Sequence, residues 1–214
     1  MDKKLLFYGG IFGPLVFLLN DIIGGIVTPN YSYIENSISD LTKAGTQDTY
    51  LLGSILLFIA AIMGILLGIA IISHYKFKIS KLIYLGGLLL IIVGIINSLT
   101  GTIFPQDIIG GDVTFPGTMH VILVGVLVIL SIPALLMIGI GLNREKQWKS
   151  FRLYTFITVL LTIIFGGVSA YAIANDIGFM GLFERIPAYV IQLWTVVLAY
   201  KFITEYFKIK SSRN

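Results

Sequence analysis

Cysteine is absent from this chain of 214 residues, which excludes disulfides, thiolate nucleophiles and thiolate metal sites. Charge is scarce as well: Asp, Glu, Lys and Arg make up 12% of the residues, about half the share of an ordinary soluble domain. Histidine occurs twice, as His74 and His120. No His-Glu-x-x-His pattern, glycine-rich nucleotide loop or nucleic-acid motif is present, so no metal and no cofactor are expected. The two histidines fall at opposite ends of apolar segments, which argues against haem held between them.

Apolar sequence fills the space that charge leaves. Hydrophobic residues account for 57% of the chain and the mean hydropathy is +0.93. They are gathered into six runs: Leu5 to Val27, Tyr50 to Ser73, Leu82 to Phe104, Thr118 to Leu142, Leu153 to Ala174 and Pro187 to Phe207. At 1.5 Å per residue, about 20 helical residues cross a hydrocarbon layer roughly 30 Å thick, so each run is long enough to span. The expected fold is an all-α membrane protein, a six-transmembrane-helix bundle forming a single domain over residues 1–214. Little sequence is left for a soluble catalytic domain. The first run is too long for a signal-peptide core and lacks a small-x-small cleavage pattern, so it is expected to remain as an anchor.

The few charges are sorted by side. Thirteen of the 15 basic residues fall on the side of the N-terminus, in Lys3, Lys4, the loop bearing Lys76, Lys78 and Lys81, the loop bearing Arg144 to Arg152, and the tail from Lys201; Lys43 and Arg185 fall on the other. The positive-inside rule then predicts both termini in the cytoplasm. Eight of the 11 carboxylates lie at or near the opposite side: Asp21, Glu35, Asp40, Asp48, Asp107, Asp112, Asp176 and Glu184. The outer face is therefore acidic, and the chemistry-bearing residues concentrate there.

Within the spans, small residues predict where helices touch. Gly9 and Gly13, and Gly64 and Gly68, have small-xxx-small spacing, while Gly87, Gly94 and Gly101 recur every seven residues. Pro14 and Pro133 each remove a backbone hydrogen bond inside a helix and predict kinks.

In the first outer connection, Ile34, Ile38 and Leu41 recur at helical spacing, predicting a short amphipathic helix over Tyr33 to Lys43. Ser37 and Ser39 offer hydroxyls there, with no adjacent base to activate them. In the second, Pro105 stops the third helix, and the Gly110-Gly111 turn lets Asp107 and Asp112 fold back toward His120. In the third, Pro187 suits the first turn of the last helix and leaves Glu184 near a helix N-terminus. Arg185 reads either as the partner of Glu184 or of an acid in another loop, or as a fork for a phosphate or carboxylate. Ser39, Asp40, Asp107, His120, Glu184 and Arg185 thus form a candidate outer-face pocket. Beneath them lie intramembrane polar residues, Asn20 and Asp21 on the first helix and Asn97 and Thr100 on the third. A carboxylate in hydrocarbon costs at least about 2.5 kcal/mol, so Asp21 needs a partner, water, a proton or the interface; helix three is where a partner is expected.

Three motifs, Ser37-Ile38-Ser39-Asp40-Leu41, Phe104-Pro105-Gln106-Asp107 followed by His120, and Gly181-Leu182-Phe183-Glu184-Arg185, resemble in order and placement the prokaryotic membrane family catalogued as domain of unknown function 998. The resemblance spans nearly the whole chain and implies a six-helix bundle. It carries no established activity. From the residues, the favoured reading is an outward-facing polar pocket that binds a lipid or other small amphiphile. The alternatives are a membrane-embedded lipid-headgroup hydrolase or transferase using His120 with Asp40, Asp107 or Glu184, and a structural membrane subunit. Membrane lipids are the expected partners, and nucleic acid is not.

Overall fold

A computed structural model of the protein describes residues 6–43, 47–74, 80–107, 111–143, 146–175 and 177–211. Leu5, where the first span was expected to begin, lies outside them, as do Lys3, Lys4, Lys76, Lys78, Gly110, Arg144, Asp176 and Arg213. The described residues contain no strand. Six helices are long and apolar enough to cross a membrane. They are α1 (Gly9–Val27), α2 (Gln47–His74), α3 (Lys81–Thr102), α4 (Phe115–Leu142), α5 (Lys149–Ala174) and α6 (Met180–Ser211).

Consecutive helices pack side by side, and α6 closes the ring against α1. Glycine sets the closest approaches. The heptad glycines of α3 face α2: a Cβ at Gly87 would meet Ile72 at 2.7 Å, and one at Gly94 would meet Ile65 at 2.6 Å. Gly10 sits against Ala199 of α6, where an added Cβ would lie 2.7 Å from the alanine methyl. Gly64 breaks this pattern. Despite its small-xxx-small spacing, nothing lies within 4 Å of where its Cβ would be.

Opposite faces of the helices are left to hydrocarbon. Ile26, Val121, Ile129 and Leu153 are all more than 60% exposed, an arrangement that water would penalise and a bilayer does not. The interior at one end is an aromatic cluster, with Trp148 and Trp194 fully buried and Phe202 between Phe7 (4.7 Å) and Trp148 (4.9 Å). His74 packs edge-on against Phe7, so the two histidines do lie at opposite ends of the bundle. The other end is closed by polar connections, and is called here the capped end.

Two boundaries depart from expectation in ways that matter. First, α6 begins at Met180, seven residues before Pro187, and the proline lies inside the helix. The early start is stabilised because the amide of Leu182, unpartnered within the helix, donates to Ile34 O at 3.0 Å. Glu184 and Arg185 therefore belong to a helix, not a loop. Second, the amphipathic helix expected over Tyr33 to Lys43 is a five-residue 3-10 helix, Ile38–Thr42. Ser37 and Asp40 form a reciprocal capping box that starts it, and Asn36 ends the preceding turn by accepting the Ser32 amide (2.8 Å). Ile38 and Leu41 point inward as the spacing predicted, but the segment is wedged into the end of the bundle: Leu41 is 1% exposed and lies over Gly24.

Candidate functional site

The capped end is organised by Arg185. Its Nε donates to Asp21 Oδ2 (3.0 Å) and its Nη2 to Asp21 Oδ1 (2.8 Å), a bidentate pair between α6 and α1 with both residues buried. Nη1 donates to the carbonyls of Tyr33 (2.8 Å), Asn36 (2.8 Å) and Gly181 (3.0 Å), and Nη2 also reaches the Tyr31 hydroxyl. Six acceptors thus surround the five N–H donors of a guanidinium, so none is left to grip an external anion. The rings of Tyr31 and Tyr33 flank the same group at 5.6 and 5.1 Å. Burial pushes the Tyr31 phenol above its ordinary range, against the lowering influence of Arg185, so it stays a neutral donor and acceptor.

Of the two readings of Arg185, the ion pair is the one formed, with a different partner from those expected. The acid is neither Glu184 nor a loop residue but Asp21, which also accepts a hydrogen bond from Tyr189 Oη. This answers the need of a carboxylate in a span for a counter-charge. It also corrects the expectation that Asp21 pairs with α3. The connection can fold back this far because of Gly25: a Cβ there would collide with the Tyr33 ring, whose hydroxyl donates to Ile22 O (3.0 Å). Asn30 turns the chain after Pro29 with φ of 57°, a left-handed conformation that Asn tolerates.

The remaining expected site residues are also committed to local structure. Glu184 accepts the Ile38 amide at 3.2 Å, capping the 3-10 helix. Asp40, 5% exposed, accepts from the Ser37 amide (3.0 Å), Asn36 Nδ2 (3.2 Å) and Gln106 Nε2 (3.1 Å), and pairs with Lys43 (2.9 Å). Ser39 is partly exposed beside it. Asp107 accepts from the amide (2.9 Å) and hydroxyl (2.6 Å) of Thr114 at the start of α4, and these two bonds hold its carboxyl below the usual carboxylate range. His120 Nδ1 lies 2.8 Å from Phe104 O and 3.3 Å from Thr100 O, so the proton belongs on Nδ1 and the ring ties α4 to the end of α3. Its Nε2 is buried and has no hydrogen-bond partner among the described residues. Thr100 bonds its own helix at Asn97 O (2.9 Å).

The structure therefore gathers the six residues into two clusters. Ser39, Asp40, Glu184 and Arg185 belong to the cluster at the first connection, while Asp107 and His120 pin the second. Gln106, one residue from Asp107, joins them through Asp40 and a 3.5 Å contact with Ser37. Among the described residues, no group of His, Asp and Glu has the makings of a metal site.

Space lies deeper. A cavity of about 190 Å³ sits between α1, α2, α3, α4 and α6, walled by the smooth side of Gly64 and by small residues of α1. Its polar lining consists of Asn97, Ser131, Gln192 and Thr195. Phe17 forms part of the wall and stands edge-on to Tyr189 (6.2 Å), which in turn bonds Asp21. Of the four intramembrane residues singled out in the sequence, only Asn97 faces this space. Asn20 is fully buried near Gly53, and neither its amide nitrogen nor its oxygen has a hydrogen-bond partner among the described residues.

Sequence reasoning missed Tyr31, Tyr189, Gln106 and Gln192. Tyr189 was within reach, since it follows Arg185 by four residues and so shares its helix face. Gln106 stands inside a motif already singled out. Nothing local marks Gln192, whose importance comes from the four other helices around it.

An all-helical ring of six spanning helices with a polar cap defines an integral, polytopic membrane protein. Within that class, residues 11–201 match the model of the family described as protein of unknown function DUF998, and the chain belongs to that family. No curated protein and no solved structure matches it.

Proposed function

We propose that the protein binds a lipid or small amphiphile, and that the binding space is the interhelical cavity, with the polar cap as its outward lid. The observation that carries this reading is an interhelical cavity of about 190 Å³ in a spanning bundle, lined in part by the side-chain amides of Asn97 and Gln192, which have no hydrogen-bond partner among the described residues. A purely structural bundle gains by filling such space, since each missing methylene forfeits packing. The sorting of basic residues to the other end supports an outward cap with both termini cytoplasmic, and the family resemblance supports a prokaryotic membrane. Ser39, Asp40, Asp107, His120, Glu184 and Arg185 then act by holding the lid closed over the ligand. A structural subunit is the second reading, favoured by the complete hydrogen bonding of Arg185.

The test is extraction of lipid from protein purified in a mild detergent, with mass spectrometry of what is retained. Binding predicts one amphiphile retained near stoichiometric amount and lost when Gly64→Leu fills the void. A protein that retains nothing specific, and whose Gly64→Leu variant is simply more stable, belongs to the second reading.

A further inference from the structure

Resting on that reading, we infer that the ligand carries an uncharged hydrogen-bonding head, such as a hydroxyl, carbonyl or amide, held by Asn97 and Gln192. The lining contains no ionisable side chain. Asp21 and Arg185 are spent on each other, and neither is among the residues that line the cavity. A charged head at this depth would have no counter-charge, and burial of an unpaired charge in hydrocarbon is strongly disfavoured.

The polar groups that do face the cavity are complementary to a neutral head. Ser131 and Thr195 donate their hydroxyl protons to their own helices, at Leu127 O and Gln192 O (both 2.7 Å), and so present only lone pairs. The side-chain amides of Asn97 and Gln192 have no partner among the described residues, and together offer donors and acceptors from α3 and α6. A hydroxyl can donate to one and accept from the other; a carboxylate cannot donate, and an ammonium cannot accept.

Size narrows the class further. A cavity of about 150 Å³ holds a benzene ring. At about 190 Å³ this one holds the head and the first few carbons, so a longer tail runs out between helices into the bilayer. The ligand is thus a slender, single-chain neutral amphiphile.

Three probes with one carbon skeleton separate the possibilities: geraniol, geranic acid and geranylamine, titrated at pH 7 into the full chain in detergent, with binding read by competition against labelled geraniol. Geraniol should bind, and the anion and cation should bind about a hundredfold more weakly or not at all. Asn97→Ala and Gln192→Ala should each weaken geraniol about tenfold with the unfolding midpoint retained, and Gln192→Glu should gain affinity for geranylamine. Should an alanine variant fail to fold, the shape-conserving Gln192→Met serves in its place, with the same expected loss. Equal binding of all three probes, or geraniol affinity unmoved in a folded variant, overturns the neutral-head inference while leaving a binding cavity. Binding of none of the three to the wild type overturns both.

Discussion

Removal of both members of the Asp21–Arg185 pair should cost far less than the two single removals added together. The pair is bidentate at 2.8 and 3.0 Å, and Asp21 is 1% exposed. Stripping one partner from such a pair leaves a buried charge with no counter-charge, at about 3–5 kcal/mol, whereas replacing both with apolar residues is often near neutral. Asp21→Leu should therefore destabilise by about 3–5 kcal/mol. Arg185→Leu should cost more, because the carbonyls of Tyr33 and Asn36 lose their donor too, at about 1–3 kcal/mol each. The double variant should escape the unpaired charge that each single variant leaves behind, keep the loss at the carbonyls, and so fall below the sum of the singles by at least about 3 kcal/mol. Asp21→Asn, although similar in shape, should behave like Asp21→Leu because it discards the charge. Unfolding in SDS, followed by the fluorescence of the buried Trp148 and Trp194, gives the four free energies of the cycle. If the single costs add to the double within about 0.5 kcal/mol, the two residues do not act as a pair.

Three other outcomes are expected. Gly64→Ala should be neutral or stabilising by up to about 1 kcal/mol, because alanine is the better helix former and its methyl meets no atom, whereas Gly10→Ala, pressed against Ala199, should cost about 1–3 kcal/mol; the same SDS titration measures both. Thr114→Val should return the Asp107 carboxyl toward its ordinary 3.8, seen in an NMR titration of its side-chain carbon. With its pKa depressed in the folded protein, Asp107 supports the fold fully above the ordinary value, and that support fades as pH falls through the depressed one. In intact cells, single cysteines replacing Asp112 and Asp176 should react with an impermeant maleimide and those replacing Lys78 and Lys146 should not; the reverse pattern would invert the orientation.

The spans were legible because length and apolarity are local properties, and all six runs became helices. The ends were less so. Pro187 suits a first turn on its own chemistry, and only the carbonyl of Ile34, far away in sequence, shows why the helix starts at Met180. Likewise, Asp21 announced that it needed a partner, but among polar residues of other helices nothing local distinguished Arg185 from Asn97. Gly64 and Gly68 look alike on paper. One packs under Ile91 and the other faces a void, a distinction made by the neighbouring helices rather than by the glycines. The six expected site residues do share one end of the bundle, yet each one's hydrogen bonds depend on backbone carbonyls and amides that composition does not reveal.

The Asp21–Arg185 bond also has a place in time. Its two residues are 164 positions apart, so at about 5–20 residues per second Asp21 leaves the ribosome roughly 8–33 seconds before Arg185 exists. Throughout that interval α1 carries an acid with no counter-charge, which favours a shallow position of the helix in the bilayer. Only synthesis of the last span supplies the guanidinium with which Asp21 pairs. A chain truncated before residue 185 never reaches that state, so the ion pair marks a finished molecule as distinct from an unfinished one.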